Sequence, residues 1–296
     1  MSDVILLGSG GVALHRRRRA ERWFQRAVFA ATMVGLVMLV VLLTQIGRQG
    51  LTWLSARFLT AMPSMNPHQA GILPALVGSV YTVTLTGLLA VPLGVAAAIY
   101  LEEFSGRGRL ARAVEVNIAN LAGVPAIIYG MLGLALFVRG LQLGRGVLSG
   151  ALTLALLVLP VIILASREAI RAVPSSLRQA AVAVGATPWQ TVRHHVLPAA
   201  LPGILTGVIL ALSRAIGEAA PLVVIGAAGY VSFLPNSLHD RFTALPIQIF
   251  FWSGMPRREF QNVAAAGILV LLAVLLSMNA LAVVIRQRAA RKLRWS

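Results

Sequence analysis

The chain has 296 residues, 58% hydrophobic and 12% charged, with a mean hydropathy of +0.82; a water-soluble domain of this length has no interior for so much apolar surface. Lys and Arg outnumber Asp and Glu by 26 to 9, a formal net charge of +17, but the basic residues gather at the ends of apolar runs, a pattern of membrane topology rather than of nucleic-acid binding. Cysteine is absent, which excludes disulfides, thiolate catalysis and cysteine metal sites.

The N-terminal residues 1–26 read as a basic cytoplasmic tail, with Arg16, Arg17, Arg18, Arg19, Arg22 and Arg26, expected to be disordered and to touch anionic membrane lipid. Six apolar runs follow, each near the roughly 20 residues needed to cross a bilayer as a helix. They are 27–46, 75–101, 116–138, 146–166, 203–228 and 261–285. The fold class is therefore an all-α polytopic membrane protein with six transmembrane helices. The first run is too long for a signal-peptide core and lacks a small-residue cleavage site, so it reads as an uncleaved anchor. Residues 286–296 form a second basic tail. The N-terminus, the second-to-third and fourth-to-fifth connections and the C-terminus hold 18 Lys and Arg, against 7 in the alternate connections. That asymmetry places both termini in the cytoplasm.

In the second run Ser79, Thr82 and Thr86 follow helical spacing. Such hydroxyls either line a polar path or bond backbone and pack helices, and packing is the commoner use. Gly123 with Pro125 in the third run and Pro160 in the fourth mark places where a membrane helix can bend or unwind.

Between the fourth and fifth runs the chain changes character. Residues 178–184 form a short helix of small side chains, and Gly185 suits the left-handed position that ends it. Thr187, with Pro188 next and Gln190 three residues on, is a capping box, so a second helix begins there and is expected to stop at Pro198. Two short helices meet at a glycine elbow. Arg193 on the second helix also admits a helix-turn-helix reading, but the 36 residues between the flanking runs leave no third helix to close its core. His194 and His195 point about 100° apart on a helix, which suits a docking surface better than a shared metal.

The fifth run alone contains charges, Arg214 and Glu218. Counted from Gly203 they lie about 16 and 22 Å along a helix, inside a hydrocarbon core about 30 Å thick. Each charge costs roughly 2.5 to 3.5 kcal/mol there, so neither is expected to face lipid. Four residues apart, they share a helix face and can pair, as a structural tie or as a gate. Gly217 and Pro221 beside them read as a hinge. Further on, within 233–260, Phe250, Phe251 and Trp252 suggest a segment lying along the outer surface.

The elbow reads Gln179-Ala180-Ala181, three residues, Gly185, nine residues, His195, one residue, Leu197-Pro198. This resembles the EAA loop of ABC importer permeases, whose pattern is Glu-Ala-Ala, three residues, Gly, nine residues, Ile, one residue, Leu-Pro, and which docks into a cleft of a cytoplasmic ATPase. Residues 211–221, Ala-Leu-Ser-Arg-Ala-Ile-Gly-Glu-Ala-Ala-Pro, closely resemble the signature of phosphate importer permeases. Residues 58–74, 92–104, 121–138, 165–176 and 242–252 are similar, in order, to the A-type (PstA-type) subunits of those importers.

The resemblance implies a type I ABC importer permease fold. It implies a permease domain over 27–285, with a coupling loop at 178–202 in which Gln179, Ala180, Ala181, Gly185, Ala186, Leu197 and Pro198 serve ATPase coupling. Arg214 and Glu218 would belong to the substrate path or gate, with Gly217 and Pro221 as its hinge. The implied partners are a second permease (PstC-like), two cytoplasmic ATPase subunits (PstB-like) and an extracytoplasmic phosphate-binding protein (PstS-like), in a bacterial inner membrane. Gln179 replaces the usual glutamate and His195 the usual isoleucine; glutamine keeps hydrogen bonds but offers no carboxylate to an ATPase arginine. The alternatives are a permease for another oxyanion, sulfate or molybdate, and an ATPase-independent secondary transporter.

A Walker A loop needs Gly, four residues, Gly-Lys and Ser or Thr. The single lysine, Lys292, follows Arg291 in the C-terminal tail, so ATP chemistry must belong to another subunit. With Asp3 and Asp240 the only aspartates, no catalytic triad is credible either. The expectation is a conduit without cofactors, not an enzyme.

Overall fold

A computed structural model describes residues 10–106, 108–227 and 229–293. Residues 1–9 and 294–296 of the two basic tails, and residue 228 at the end of the fifth run, lie outside the described residues. The described regular structure is helical, with one isolated antiparallel bridge between Gly146 and Arg241. Two units are distinguished, one ending at Gln49 and the other starting at Gly50.

The first unit is essentially one helix, α1 (Gly10–Gly50). It corrects the expectation of a disordered tail up to Arg26. Residues 13–34 contain neither glycine nor proline, and Arg, Glu and Ala are strong helix formers, so the basic run continues the membrane helix rather than fraying from it.

The second unit begins with α2 (Ala56–Thr60), which Ser55 caps by accepting a hydrogen bond from the Phe58 amide. It continues with α3 (Leu73–Ile99), whose last turns widen into a π segment, Tyr100–Phe104. Then come α4 (Arg109–Ala122) and α5 (Ala126–Gly133), the latter running on as a π segment, Leu134–Gly140. The long α6 (Val147–Arg171) is followed by α7 (Ser175–Ala183) and α8 (Pro188–Thr191). A π segment, Val192–Val196, joins α8 to α9 (Leu197–Ile216), and α10 (Ala220–Ile225), α11 (Leu245–Ser253) and α12 (Glu259–Leu293) complete the chain. Among the described residues five helical stretches are long and apolar enough to cross a membrane, and α4 with α5 makes a sixth if the bent pair counts as one span.

Helix α6 is the hub, with Leu154, Ile162 and Ile170 fully buried between α3 and α9. Small residues let the backbones close. A Cβ on Gly203 or Gly207 of α9 would come within 2.7 or 2.3 Å of the Ala169 or Ala165 methyl of α6, the small-residue contact by which membrane helices pack without a hydrophobic driving force. The hydroxyls of α3 are part of this packing. Thr82 donates to Gly78 O and Thr86 to Thr82 O, both at 2.7 Å, while Ser79 accepts from the Leu245 amide at 2.8 Å. All three are fully buried, so they pack helices and do not line an open path.

Four expectations are corrected. The third run is not one straight helix: α4 and α5 meet at 103°. Gly123 caps α4, and Pro125 lacks the amide that would carry the ladder through while disfavouring helical geometry at Val124. The helix entering the fifth run does not stop at Pro198. In the π segment the Leu197 amide reaches back to Val192 O, and this wider turn accommodates a proline with no amide of its own, so Pro188–Ile216 is continuous. The same run then breaks between Ile216 and Ala220, where Pro221 cannot donate to the preceding turn. Finally, Trp252 is not interfacial. It is 1% exposed and packs on Phe58 at a ring separation of 5.8 Å, in a second core with Phe260.

Candidate functional site

The elbow is closed by two local motifs. At the end of α7 the Ala186 amide donates to Ala181 O at 3.1 Å and the Gly185 amide to Val182 O at 2.9 Å. This is a Schellman closure, with Gly185 at φ +86° as the left-handed residue. At the start of α8 the Thr187 hydroxyl accepts from the Gln190 amide at 3.3 Å, and the Gln190 side chain accepts from the Thr187 amide at 2.8 Å, the reciprocal bonds of a capping box.

The expected coupling residues divide into two sets. Gln179, Ala180 and Gly185 are exposed and Ala186 half-buried on the turn, together with the apolar Val182, Val184 and Trp189. Val184 is 83% exposed, and such a cluster of apolar side chains around a tight turn is a surface suited to a partner. Ala181, by contrast, is buried, and Leu197 and Pro198 are half-buried where α9 begins, with Leu197 packed on the main core. These three hold the elbow to the bundle; they do not share its exposed face.

A set of ionic residues is not evident from the sequence. Arg178 of α7 donates to Glu103 Oε1 through Nε at 3.1 Å and Nη2 at 2.7 Å, to Val173 O through Nη1 at 2.7 Å and to Ile170 O through Nη2 at 2.9 Å. Next to it, Arg167, 6% exposed, pairs with Glu102 at 3.3 Å and Glu115 at 3.2 Å, and Arg171 pairs with Glu102 at 3.1 Å. Phe104 and Trp189 make a tilted ring contact at 6.4 Å. The elbow is thereby tied to the ends of α3 and α6, and α4 is tied to α6. The signal available in the sequence was the adjacent pair Glu102-Glu103 at the end of an apolar run.

Farther along the same helix, Arg214 Nε donates to Glu218 Oε1 at 3.0 Å. The pairing expected from their spacing is present, but the geometry differs from a shared helix face, because Glu218 lies beyond the end of α9 in the break that Gly217 opens. Their side chains are 48% and 21% exposed. Arg214 is exposed and Glu218 half-buried in this chain. On the far side of the break Pro221 of α10 packs against Gly130 of α5, so the two broken spans touch next to this pair. Gly217 ends α9 at φ −90° and ψ −4°, outside ordinary helical angles, and Pro221 sits in the first turn of α10, where its missing amide keeps the two helices from joining.

Residues 90–291 match the family described as binding-protein-dependent transport system inner membrane component. The chain belongs to this family. It is accordingly a component of a membrane transport system and not an enzyme. Residues 12–67 also match a domain of unknown function, DUF3333. Curated relatives cover nearly the whole chain. The phosphate transport system permease protein PstA 1 of Mycobacterium tuberculosis is 34% identical over 94% of this chain and 91% of its own. The phosphate transport system permease protein PstA of Yersinia pestis is 31% identical over 96% of each. Among solved structures, a chain of a bacterial ABC transporter that imports the acidic polysaccharide alginate superposes with a TM-score of 0.65 at 15% identity, covering 92% of this chain and 98% of that one. That likeness fixes the fold of the family, an ABC importer permease, and nothing finer.

Proposed function

We propose that the chain is the transmembrane permease subunit of an ATP-driven inorganic phosphate importer, in line with what its curated relatives are named for. It forms half of the translocation path with a second, PstC-like permease, couples that path to two cytoplasmic PstB-like ATPases, and receives phosphate from an extracytoplasmic PstS-like binding protein. Both termini and the elbow face the cytoplasm in this reading, which the excess of basic residues on that side supports. Residues 27–285 form the permease domain between two basic tails.

The observation that carries this reading is the continuity of one helical rod from the elbow to the charged pair. Pro188–Ile216 is unbroken, so the surface that meets an ATPase and the Arg214–Glu218 pair are joined over about 40 Å of helix. Displacing the elbow displaces the pair. In the path, Arg214 offers a planar donor fork for phosphate oxygens, and Glu218 accepts a proton-bearing phosphate hydroxyl. A sulfate dianion has no such proton. Gln179, Ala180, Gly185 and Ala186 make the exposed ATPase contact, with Val182, Val184 and Trp189 around them.

Proteoliposomes holding both permeases and the ATPases, with ATP inside and binding protein outside, test the reading through accumulation of labelled phosphate. ATP-dependent phosphate uptake is the expected result. Accumulation of sulfate or molybdate in preference to phosphate would transfer the assignment to another oxyanion, and uptake without ATP would overturn it.

A further inference from the structure

We infer that Arg178 and Glu103 form the positioning pair that passes movement of the elbow to α3 and α6; the inference rests on the coupling role proposed for the elbow. Arg178 stands one residue before Gln179, at the inner edge of the docking surface, and its guanidinium meets two separate parts of the bundle. Two donors close on one carboxylate oxygen of Glu103 in the π segment that ends α3, and two close on Ile170 O and Val173 O at the end of α6. Ile170 O lies in the last turn of α6 and also accepts from the Val173 amide at 3.2 Å, and Val173 O lies just past the helix end, where carbonyls outnumber the main-chain amides available to them. Arg178 therefore caps α6 and grips α3 with the same side chain.

The pair is more than a surface ion pair. Its side chains are 24% and 12% exposed and its shortest bond is 2.7 Å, the length of a charge-assisted contact. Lysine cannot replace it, since an ammonium on a flexible stem has no fixed fork to satisfy a carboxylate and two carbonyls together. Beside it, Arg167 and Arg171 share Glu102 and Glu115, so that the ends of α3 and α6 and the middle of α4 move as one body once Glu103 is held. The elbow is joined to the bundle by the continuous rod into α9, by the short 172–174 link from α6 and by apolar contacts at Ala181 and Trp189. Arg178 adds the ionic connection and is the only residue of α7 with a described side-chain ion pair. The rod carries elbow movement into α9; the Arg178–Glu103 pair fixes the direction in which α3 and α6 follow.

The chain's lack of cysteine makes the test clean. Arg178→Lys, Glu103→Gln and the double variant Arg178→Cys/Glu103→Cys are reconstituted with both ATPases, the second permease and phosphate-loaded binding protein. Assembly, basal ATP hydrolysis, stimulated hydrolysis and uptake are each measured. The singles and the unlinked double should assemble and keep basal hydrolysis, while phosphate taken up per ATP falls about tenfold, within the usual range of coupling between linked sites. Bridging the two cysteines with a short bis-methanethiosulfonate linker should restore coupling, and reductant should abolish it again. A purely structural role predicts lower stability without a change in the ratio. An unchanged ratio in the singles, or no recovery on linking, overturns the proposal. If wild-type complex itself shows no stimulation by loaded binding protein, the coupling role of the elbow fails instead, and the two failures are told apart by that control.

Discussion

Gly130 and Pro221 meet with no room for a side chain between them: a Cβ on Gly130 would lie 2.7 Å from the Pro221 Cα and 2.9 Å from its carbonyl oxygen. Each residue follows a break, Gly130 the bend between α4 and α5 and Pro221 the gap between α9 and α10. The contact locks two discontinuous spans together beside Arg214 and Glu218. Because the obstructing atoms are backbone, Gly130→Ala must push α5 and α10 apart, at a cost of about 1–3 kcal/mol. Gly123→Ala is the control, since its Cβ would meet only Asn120 O at 3.5 Å, an ordinary contact. Thermal unfolding of the purified protein in detergent should show a lower midpoint for the first variant and an unchanged one for the second.

Gly185 is constrained by its backbone alone. Its φ is +86° and a Cβ there would have no neighbour within 4 Å, so crowding plays no part. Gly185→Val should strain the left-handed turn by about 1–2 kcal/mol and misplace both short helices, whereas Gly185→Asn, which tolerates that region, should stay near wild type. Membrane insertion survives in both. Phosphate uptake, together with cross-linking from Ala186 to the ATPase, distinguishes them; equal transport by the two variants would show that the turn does not position a docking surface.

Glu218→Gln removes a charge while keeping size, and Arg214→Gln removes a charge while leaving a shorter polar side chain. With the pair on the substrate path, each should abolish uptake yet leave complex assembly and basal ATP hydrolysis measurable. A structural tie predicts the contrary pattern, in which neither variant assembles. Normal transport by both would remove the pair from the pathway altogether.

Sidedness is open to direct labelling because every introduced cysteine is the only one. Ser176 and Ser237 are both exposed, at the elbow and in the connection after α10 respectively, and Ser64 lies in the connection after α2. In sealed cells an impermeant thiol reagent should label cysteines at 64 and 237 and spare 176. The reverse pattern would invert the topology.

The sequence was most legible where structure is local. The left-handed Gly185 and the capping box of Thr187 and Gln190 depend on residues within five positions of one another, and both are present. Apolar runs located the spans for the same reason. What stayed hidden depends on distant partners. Glu103 and Arg178 are 75 residues apart, and nothing in either neighbourhood announces the other. Prolines were ambiguous in a physical sense: Pro125 ends a helix and Pro198 does not, because only the latter follows a π turn that absorbs its missing amide. Trp252 looked interfacial by composition, and only the packing of Phe58 and Phe260 around it reveals a core residue.

The central claim, that this permease couples phosphate recognition outside to ATP hydrolysis inside, is tested most directly by ATPase activity of the reconstituted complex in the presence of loaded binding protein. Phosphate-loaded protein should stimulate hydrolysis well above the sulfate-loaded and empty forms, and the stimulation should vanish in Gly185→Val while basal activity remains. Equal stimulation by sulfate-loaded protein, or full stimulation in Gly185→Val, would contradict the account.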